Sequence, residues 1–149
     1  MPNIRSLYNV GSIFRTSDAC DVEKIYLTGH TGRPDKEPKI TKTALGAELN
    51  IPWEYAFQTA RVIKQLKQDG YHILALENSR GSIDYREMKQ LPAKVAIIVG
   101  NEVKGLSRTL LSQVDQTVNL PMMGKKESLN VSVAFGILAY FIKFQTYCS

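Results

Sequence analysis

Apolar residues recur at helical spacing in the segment 58–70. Val62, Ile63 and Leu66 would share one face of a helix, whereas most of the positions between them are polar or charged. Gly70 follows the last of these turns, and glycine is the residue that most often ends a helix in a left-handed conformation. The segment therefore predicts an amphipathic helix that packs one face on a core and ends at Gly70.

Two other segments are almost continuously apolar, a pattern typical of strands buried on both faces of a parallel sheet. They are residues 71–79 and 94–100. The remaining predictions are, in chain order, a helix at 12–20, a strand at 23–29, a loop at 30–42, an ambiguous segment at 43–57, a helix at 106–115, a strand at 116–122 and a long helix at 129–144. This alternation predicts a three-layer α/β/α domain with a mainly parallel sheet.

The composition is that of a single globular domain covering residues 1–149. Hydrophobic residues make up 44% of the chain and charged residues 22%, which is enough to bury a core. No apolar run approaches the roughly 18 residues that span a bilayer, and the first residues lack the apolar core of a signal peptide, so we expect a cytoplasmic protein. Cys20 and Cys148 lie outside any Cys-x-x-Cys pattern, and we expect both to be reduced.

Polar residues cluster directly after three of the predicted strands. The segments are 76–81, 99–105 and 120–130. The carboxyl ends of parallel strands meet at one edge of a sheet, where α/β domains bind their ligands. The glycines of these segments fit neither the G-x-G-x-x-G pattern of dinucleotide sites nor the P-loop, so a standard dinucleotide or ATP site is not expected.

Three short motifs follow one another along the chain. NVGSIFR contains Asn9, Gly11 and Arg15, IIVGNEVKG covers residues 97–105, and LPMMGKKESLNVS covers residues 120–132. In this order they resemble the three motifs of the SpoU (TrmH-type) family of RNA ribose 2′-O-methyltransferases, within the SPOUT superfamily. The resemblance is specific because all three motifs are present, and it extends over nearly the whole chain.

The resemblance implies a particular fold and cofactor. It implies a C-terminal deep trefoil knot, which is a rare exception to the absence of knots in proteins, and a homodimer. It also implies that S-adenosylmethionine is held among the three loops, largely by backbone groups. The residues assigned to cofactor binding in this way are Leu76, Glu77, Gly100, Leu120, Met122 and Leu129.

The resemblance assigns catalysis to five polar residues, which are Asn9, Arg15, Glu102, Ser128 and Asn130. A neutral ribose 2′-hydroxyl is a poor nucleophile, so in-line attack on a sulfonium methyl needs alignment, removal of a proton and support for the developing alkoxide. Each residue also has a purely structural reading, such as a helix N-cap for Ser128 or Asn130, a turn for Asn9 and a helix-dipole partner for Glu102. Taken together in three ordered motifs, they favour an active site.

Two roles are open for Arg15. A neutral arginine that acts as a general base is energetically strained, because a guanidinium group holds its proton strongly. A charged arginine would instead grip an RNA phosphate and stabilise the forming alkoxide, while the proton leaves through Ser128, Glu102 or water. The charged role is the easier of the two.

The expected partner is an RNA, either a tRNA or an rRNA. The net charge of +5 is compatible with a polyanion, and the basic loop at 30–42 offers phosphate contacts. The candidate RNA-binding residues are Arg15, Arg33, Lys39 and Lys42. The sequence contains no cluster of metal-ligand residues, and we expect no metal.

The start of the chain departs from the family pattern. Members usually carry a full apolar strand before the first motif, whereas this chain begins with MPNIRSL, so we expect a shortened first strand or a truncated start. The alternative function is a catalytically idle, knotted module that binds RNA or serves in assembly. A second alternative is a methyltransferase that acts on a base or a small molecule, although the complete first motif with Arg15 favours ribose.

Overall fold

The computed structural model describes residues 1–147, and its strands and helices alternate along most of the chain. The helices are α1 (Leu7–Ala19), α2 (Thr41–Ala44), α3 (Ala47–Asn50), α4 (Thr59–Gln68), α5 (Arg108–Leu111) and α6 (Val131–Tyr147). The strands are β1 (Ile25–Thr28), β2 (Trp53–Ala56), β3 (His72–Leu76), β4 (Ile83–Asp84), β5 (Val95–Val99) and β6 (Gln116–Asn119). None of the helices described is long and apolar enough to cross a bilayer.

The strands form two parallel sheets. Strand β1 pairs with β2, and the larger sheet has the order β4-β6-β3-β5. Every ladder in both sheets is parallel. The α/β class with parallel strands is therefore confirmed. Because β6, β3 and β5 are neighbours and run in the same direction, the three polar segments that follow them leave the sheet side by side.

Local sequence signals located α4 correctly. Ile63 is buried, while Val62 and Leu66 are half-buried on the same side of the helix. Gly70 has a φ of +84°, and its N–H donates to the carbonyl of Lys67 at 3.1 Å. The predicted helix end at this glycine is confirmed.

Two other helices differ in length from their predictions. Helix α1 begins at Leu7, earlier than predicted, because Ser6 caps it and its Oγ accepts a hydrogen bond from the N–H of Asn9 at 3.3 Å. The helix predicted to end at Asp115 is a single turn, α5. Asp115 instead contacts β3, where its Oδ2 accepts a hydrogen bond from the N–H of Ile73 at 2.8 Å. Apolar periodicity carries no information on such a long-range contact.

The segment that was ambiguous in sequence, 43–57, contains α3, β2 and the end of α2. Helix α2 begins at Thr41, inside the segment predicted to be a loop, and the short strand β4 was not predicted. These elements are only two to four residues long. Over such a length, apolar spacing does not distinguish a helix from a strand.

Helix α6 joins two parts of the hydrophobic core. Phe135 belongs to the cluster around α1 and β1, which includes Phe14. Leu138 belongs to a second cluster beneath β3 and β6, with Leu74 and Val118. One face of α6 therefore holds the small sheet and the large sheet together.

Cys20 is a free, buried thiol. Burial raises its pKa, although a hydrogen bond with Tyr140 opposes the increase. Cys148 lies outside the described residues.

Residues 1–3 occupy the position of a first strand beside β1. The α-amino group of Met1 donates to the carbonyl of Tyr26 at 2.7 Å, and the N–H of Thr28 donates to the carbonyl of Met1 at 3.0 Å. A single parallel bridge pairs Pro2 with Thr28. The expected first strand is thus present only as one bridge.

Gly11 allows α1 to approach α2 closely. A Cβ atom at this position would overlap the carbonyl oxygen of Ile40 and the hydroxyl of Thr43, and would lie 2.9 Å from the backbone nitrogen of Ala44. Two of these three atoms belong to the backbone and cannot rotate away. The close packing of α1 against the start of α2 therefore requires a glycine at position 11.

We expect Gly11→Ala to lower the free energy of unfolding by about 1–3 kcal/mol, the usual cost of overfilling a packed contact. Urea denaturation monitored by circular dichroism measures this change. Gly124→Ala is the matched control, since a Cβ there has no atom within 4 Å and φ is not in the positive region. Equal stability of the two variants would contradict the packing role.

Candidate active site

Glu77, the first residue after β3, links the loops at the carboxyl edge of the larger sheet. Its N–H donates to the carbonyl of Val118 on β6 at 3.0 Å, and its Oε2 accepts a hydrogen bond from the N–H of Leu106 at 2.8 Å. Leu106 ends the loop that follows β5. The half-buried carboxylate of Glu77 thus holds protein backbone in place at the position where the sequence suggested cofactor binding.

The loop after β5 folds back on itself within six residues. The N–H of Gly105 donates to the carbonyl of Asn101 at 2.8 Å. A Cβ on Gly100 would lie 2.6–2.8 Å from backbone atoms of Gly105 and Leu106, so only glycine fits there. Gly105 has a φ of +63° and lies against the carboxylate of Glu77. Close approach of backbone to backbone explains both glycines of the second motif.

Glu102, at the tip of this loop, binds the start of α1. Its Oε2 accepts a hydrogen bond from the N–H of Arg5 at 2.9 Å, and its Oε1 accepts bonds from the N–H of Ser6 at 2.9 Å and from the Asn9 side chain at 3.0 Å. Partial burial acts to raise the pKa of Glu102, but these three donors outweigh it and hold the pKa below its usual value. Glu102 is therefore ionised at neutral pH and already bonded, so it is a poor proton acceptor.

Asn130 connects the third motif to the first. Its Nδ2 donates to Oδ1 of Asn9 at 3.0 Å. Its Oδ1 accepts hydrogen bonds from the N–H of Ser132 at 2.9 Å and from the hydroxyl of Ser132 at 2.7 Å. Because Val131 is the first residue of α6, Asn130 has the position and the bonds of its N-cap. One asparagine thus caps the last helix and binds the first motif.

Arg15 and Ser128 lie outside this hydrogen-bonded network. Arg15 is exposed on α1, six residues after Asn9, which places its backbone about 9 Å further along the helix axis. Ser128 is exposed in the loop before α6. Within residues 1–147, neither side chain has a hydrogen bond or an ion pair. The structure therefore brings together Asn9, Glu102 and Asn130, and leaves the other two catalytic candidates free to meet a substrate.

The candidate cofactor residues lie around the same sheet edge. Gly100 is buried, Leu76, Leu120 and Met122 are half-buried, and the Leu129 side chain is 41% exposed. Together they line the sheet edge with apolar side chains and backbone groups. The one charged side chain among them, Glu77, is already hydrogen-bonded to Leu106. Such a surface suits a flat, mostly apolar base bound through backbone groups.

The candidate RNA-binding residues differ in how they are paired. Arg33 forms a two-pronged ion pair with Asp35, at 3.0 and 2.6 Å, and its guanidinium lies 5.1 Å from the centre of the Tyr55 ring. The hydrogen bond to Asp35 raises the pKa of Arg33 further, and it lowers that of Asp35. Lys39 and Lys42 are exposed. The lysines are therefore more accessible to a phosphate than Arg33.

Sequence reasoning missed two residues that organise the site. Asn101 donates from Nδ2 to the carbonyl of Asn3 at 2.8 Å, and its Oδ1 accepts hydrogen bonds from the N–H groups of Val103 and Lys104 at 2.9 Å. Ser132 binds Asn130 as described above. The sequence did contain a signal for Asn101, because an Asn directly after Gly100 favours a turn that its own side chain stabilises.

In residues 1–147 no group of His, Cys, Asp or Glu could hold a metal ion.

Parallel strands with ligand-type loops at their carboxyl ends define an α/β binding domain of the kind that holds a nucleotide-like ligand at that edge. The chain belongs to the SpoU rRNA Methylase family, whose sequence profile matches residues 1–140. The three motifs lie within this range, and the resemblance seen in the sequence is confirmed.

Individual relatives support the same assignment. A protein of Staphylococcus saprophyticus named as a TrmH family tRNA/rRNA methyltransferase is 35% identical over 133 residues, covering 89% of this chain and 52% of the relative. An AdoMet-bound rRNA methyltransferase from Sinorhizobium meliloti superposes with a TM-score of 0.87 at 29% identity, over 95% of this chain and 53% of that one. A structure of an RNA 2′-O ribose methyltransferase gives a TM-score of 0.84 at 25% identity, over 99% and 55%. The chain spans about half the length of the curated relatives that it matches.

We expect Glu102→Gln to lower the free energy of unfolding by about 1–3 kcal/mol at pH 7, because an amide cannot accept all three hydrogen bonds and loses the charge that strengthens them. Since the folded-state pKa of Glu102 is depressed, this stabilisation is complete above the unfolded pKa and is lost as the pH falls through the folded value. Urea denaturation at neutral and acidic pH measures both effects. Glu127→Gln, at an exposed position, is the control. A variant as stable as this control at pH 7 would contradict the anchoring role of Glu102.

Proposed function

We propose that this protein is an S-adenosylmethionine-dependent RNA methyltransferase that transfers a methyl group to a ribose 2′-hydroxyl of a tRNA or an rRNA. The observation that carries the proposal is the chain of hydrogen bonds from Glu102 through Asn9 to Asn130. It joins one residue from each of the three family motifs at one sheet edge. Family membership and the ribose methyltransferase among the similar structures support the same activity.

The cofactor fits the chemistry of this edge. Leu76, Leu120 and Met122 would contact the adenine, while backbone groups near Gly100 and Leu129 would supply polar recognition. When bound, S-adenosylmethionine supplies an electrophilic methyl group on a sulfonium centre. Glu77 and Glu102 hold the neighbouring loops through hydrogen bonds within the protein, and loops fixed in this way lower the ordering cost of binding.

The residues outside the network are proposed to handle the substrate. Arg15 is exposed and unpaired within the described chain, so it is available to bind an RNA phosphate and to stabilise the alkoxide that forms at the 2′-oxygen. Glu102 is a poor proton acceptor here, so the hydroxyl proton would leave through Ser128 or directly to water. Lys39 and Lys42 would hold the RNA backbone.

A homodimer is part of the proposal, and the surface of α6 supports it. Val133, Ile137, Tyr140 and Phe144 follow one another at spacings of four, three and four residues, and their exposed fractions are 51%, 39%, 42% and 62%. They form one apolar stripe, opposite the face that packs into the core. An exposed stripe of this kind marks an interaction surface. We propose that two copies of the chain cover it for each other.

We further propose that the segment from Leu120 into α6 forms the trefoil knot of the SPOUT fold and that the enzyme acts in the cytoplasm. Support for the knot comes from the high TM-scores to family structures and from the return of this segment to Asn9. Residues 1–149 would then belong to the catalytic domain of the methyltransferase.

The direct test is incubation of the protein with methyl-labelled S-adenosylmethionine and total RNA from a strain that lacks this gene, followed by nucleoside analysis. Label in 2′-O-methylated nucleosides is the expected result. Label in base-methylated nucleosides would overturn the ribose assignment. Binding of cofactor and RNA without any transfer would instead identify an idle RNA-binding module.

We expect Arg15→Ala to lower the single-turnover methylation rate by about 100- to 1000-fold, as for the loss of a residue that stabilises a developing oxyanion, with cofactor binding unchanged. Arg15→Lys keeps the charge and should retain measurable activity. Arg61→Ala, at an exposed position on α4, is the control for removal of a surface cation. If the lysine variant is as inactive as the alanine variant and the wild-type rate follows one deprotonation near neutral pH, the general-base role is correct instead.

We expect Ile137→Asp to convert the dimer into a monomer, because an unpaired carboxylate in an apolar interface costs about 3–5 kcal/mol. Size-exclusion chromatography with light scattering at micromolar concentration distinguishes the two states. Leu49→Asp is the matched control, since Leu49 is 85% exposed on α3, away from the stripe. A monomeric wild-type protein would rule out the proposed interface.

A further inference from the structure

Tyr8 exposes an aromatic ring on the outer face of α1. The buried residues of this helix are Val10, Gly11, Ile13, Phe14 and Ser17. At 3.6 residues per turn Tyr8 lies on the opposite side, and its side chain is 50% exposed. Within residues 1–147 the side chain has no hydrogen bond and no contact with another ring or a cation. The core therefore does not account for an aromatic residue at this position.

Tyr8 shares its face of the helix with Arg15. The two residues are seven positions apart, which is close to two helical turns and about 10 Å along the axis. Both are exposed. The helix that carries the first motif thus presents an aromatic ring and a guanidinium group on one side.

The backbone of Tyr8 is held in place by other segments of the protein. Its carbonyl accepts a hydrogen bond from the hydroxyl of Thr43 at 2.9 Å. The next residue, Asn9, is bonded to Glu102 and to Asn130. An exposed ring on a fixed backbone loses little freedom when it binds a ligand.

The basic segment at 30–42 packs against the same turns of α1. A Cβ atom on Gly32 would overlap the side chain of Leu7, and Thr43 bonds Tyr8 at the other end of the segment. These two contacts keep the lysines between them, Lys39 and Lys42 among them, beside the first turn of α1. The first acidic residue of α1 is Asp18, in its last turns. The surface on both sides of Tyr8 is therefore positively charged.

An exposed aromatic ring between cations is suited to single-stranded RNA, because a base stacks on the ring while arginine and lysine contact the phosphates. We propose that Tyr8 is a base-stacking residue of the substrate surface, and that the RNA is single-stranded where it crosses α1. The phosphates on one side of the stacked base would reach Arg15, and those on the other side would reach Lys42. This inference rests on the proposed RNA methyltransferase function.

The ring and the cations would make different contributions to binding. In a duplex the bases are stacked on each other, so their faces are not available to Tyr8. Phosphates are exposed in both single and double strands, and contacts with them carry no information on base stacking. Tyr8 would therefore supply a preference for single-stranded RNA, whereas Lys42 would strengthen binding to either form.

The test is a fluorescence titration of the full chain with two RNA probes. One is a single strand of about 12 nucleotides that carries a fluorescent purine, and the other is a duplex of the same sequence. Low salt is used because phosphate contacts then give measurable affinity for any RNA. Tyr8→Ala should weaken binding of the single strand by about 10- to 100-fold, the usual effect of removing a stacking residue, and leave binding of the duplex unchanged.

Two further substitutions at the same position separate stacking from apolar contact. Tyr8→Phe keeps the ring and should bind the single strand like the wild type. Tyr8→Leu keeps apolar bulk without an aromatic face and should bind like Tyr8→Ala. Phe57→Ala is the control for the loss of an exposed ring, since Phe57 is 74% exposed and lies after β2, outside the three motifs.

Salt dependence separates the ring from the cations. Lys42→Ala should reduce the slope of log affinity against log salt by about 1, as for the loss of one phosphate contact. Tyr8→Ala should leave this slope unchanged. The thermal midpoint of Tyr8→Ala should equal that of the wild type, because the ring lies outside the core.

Equal affinity of Tyr8→Ala and the wild type for the single strand would overturn the inference and leave the proposed methyltransferase function in place. Equal weakening of both probes, or wild-type affinity of Tyr8→Leu, would also overturn it, since neither result requires stacking. A change from dimer to monomer in Tyr8→Ala, measured by light scattering, would identify the ring as a contact between two copies instead. Failure of the wild type to bind either RNA would overturn the proposed function, and this inference with it.

Discussion

The carboxylate of Glu102 is the contact on which the arrangement of the site depends. The N–H groups of Arg5 and Ser6 lie just before α1, in a turn where no helical carbonyl can accept their hydrogen bonds. A carboxylate from the loop after β5 satisfies them, and its negative charge is favourable near the amino end of a helix. The same carboxylate orients Asn9, which in turn binds Asn130. One anion thus sets the relative positions of three segments that are distant in sequence.

The motif glycines matter here because they lack a Cβ atom, more than because their backbone is flexible. Gly11 lets α1 touch the backbone before α2, and Gly100 lets the loop after β5 fold onto its own backbone. In both places the neighbouring atoms would overlap any side chain. Small motif residues therefore bring backbone groups together at the sheet edge, which is consistent with a cofactor recognised mainly by backbone.

Much of this protein was determined by local sequence. The spacing of Val62, Ile63 and Leu66 and the position of Gly70 defined α4, because amphipathic periodicity and a left-handed glycine act over a few residues. The continuous apolar runs identified β3 and β5, and the order of the motifs identified the family. These features depend on neighbours in sequence and can be read without the fold.

Other features were decided only by the tertiary structure. The length of α5 depends on Asp115 reaching β3, and the role of Glu102 depends on Arg5 and Ser6, which are more than 90 residues away. The sequence placed Arg15 and Asn9 in one motif, yet the helix separates them, so that one residue organises the protein and the other remains exposed. The division of the strands into two sheets likewise follows from which strands pair with each other. Hydrogen bonds between distant segments determine all of these features, and no local pattern encodes them.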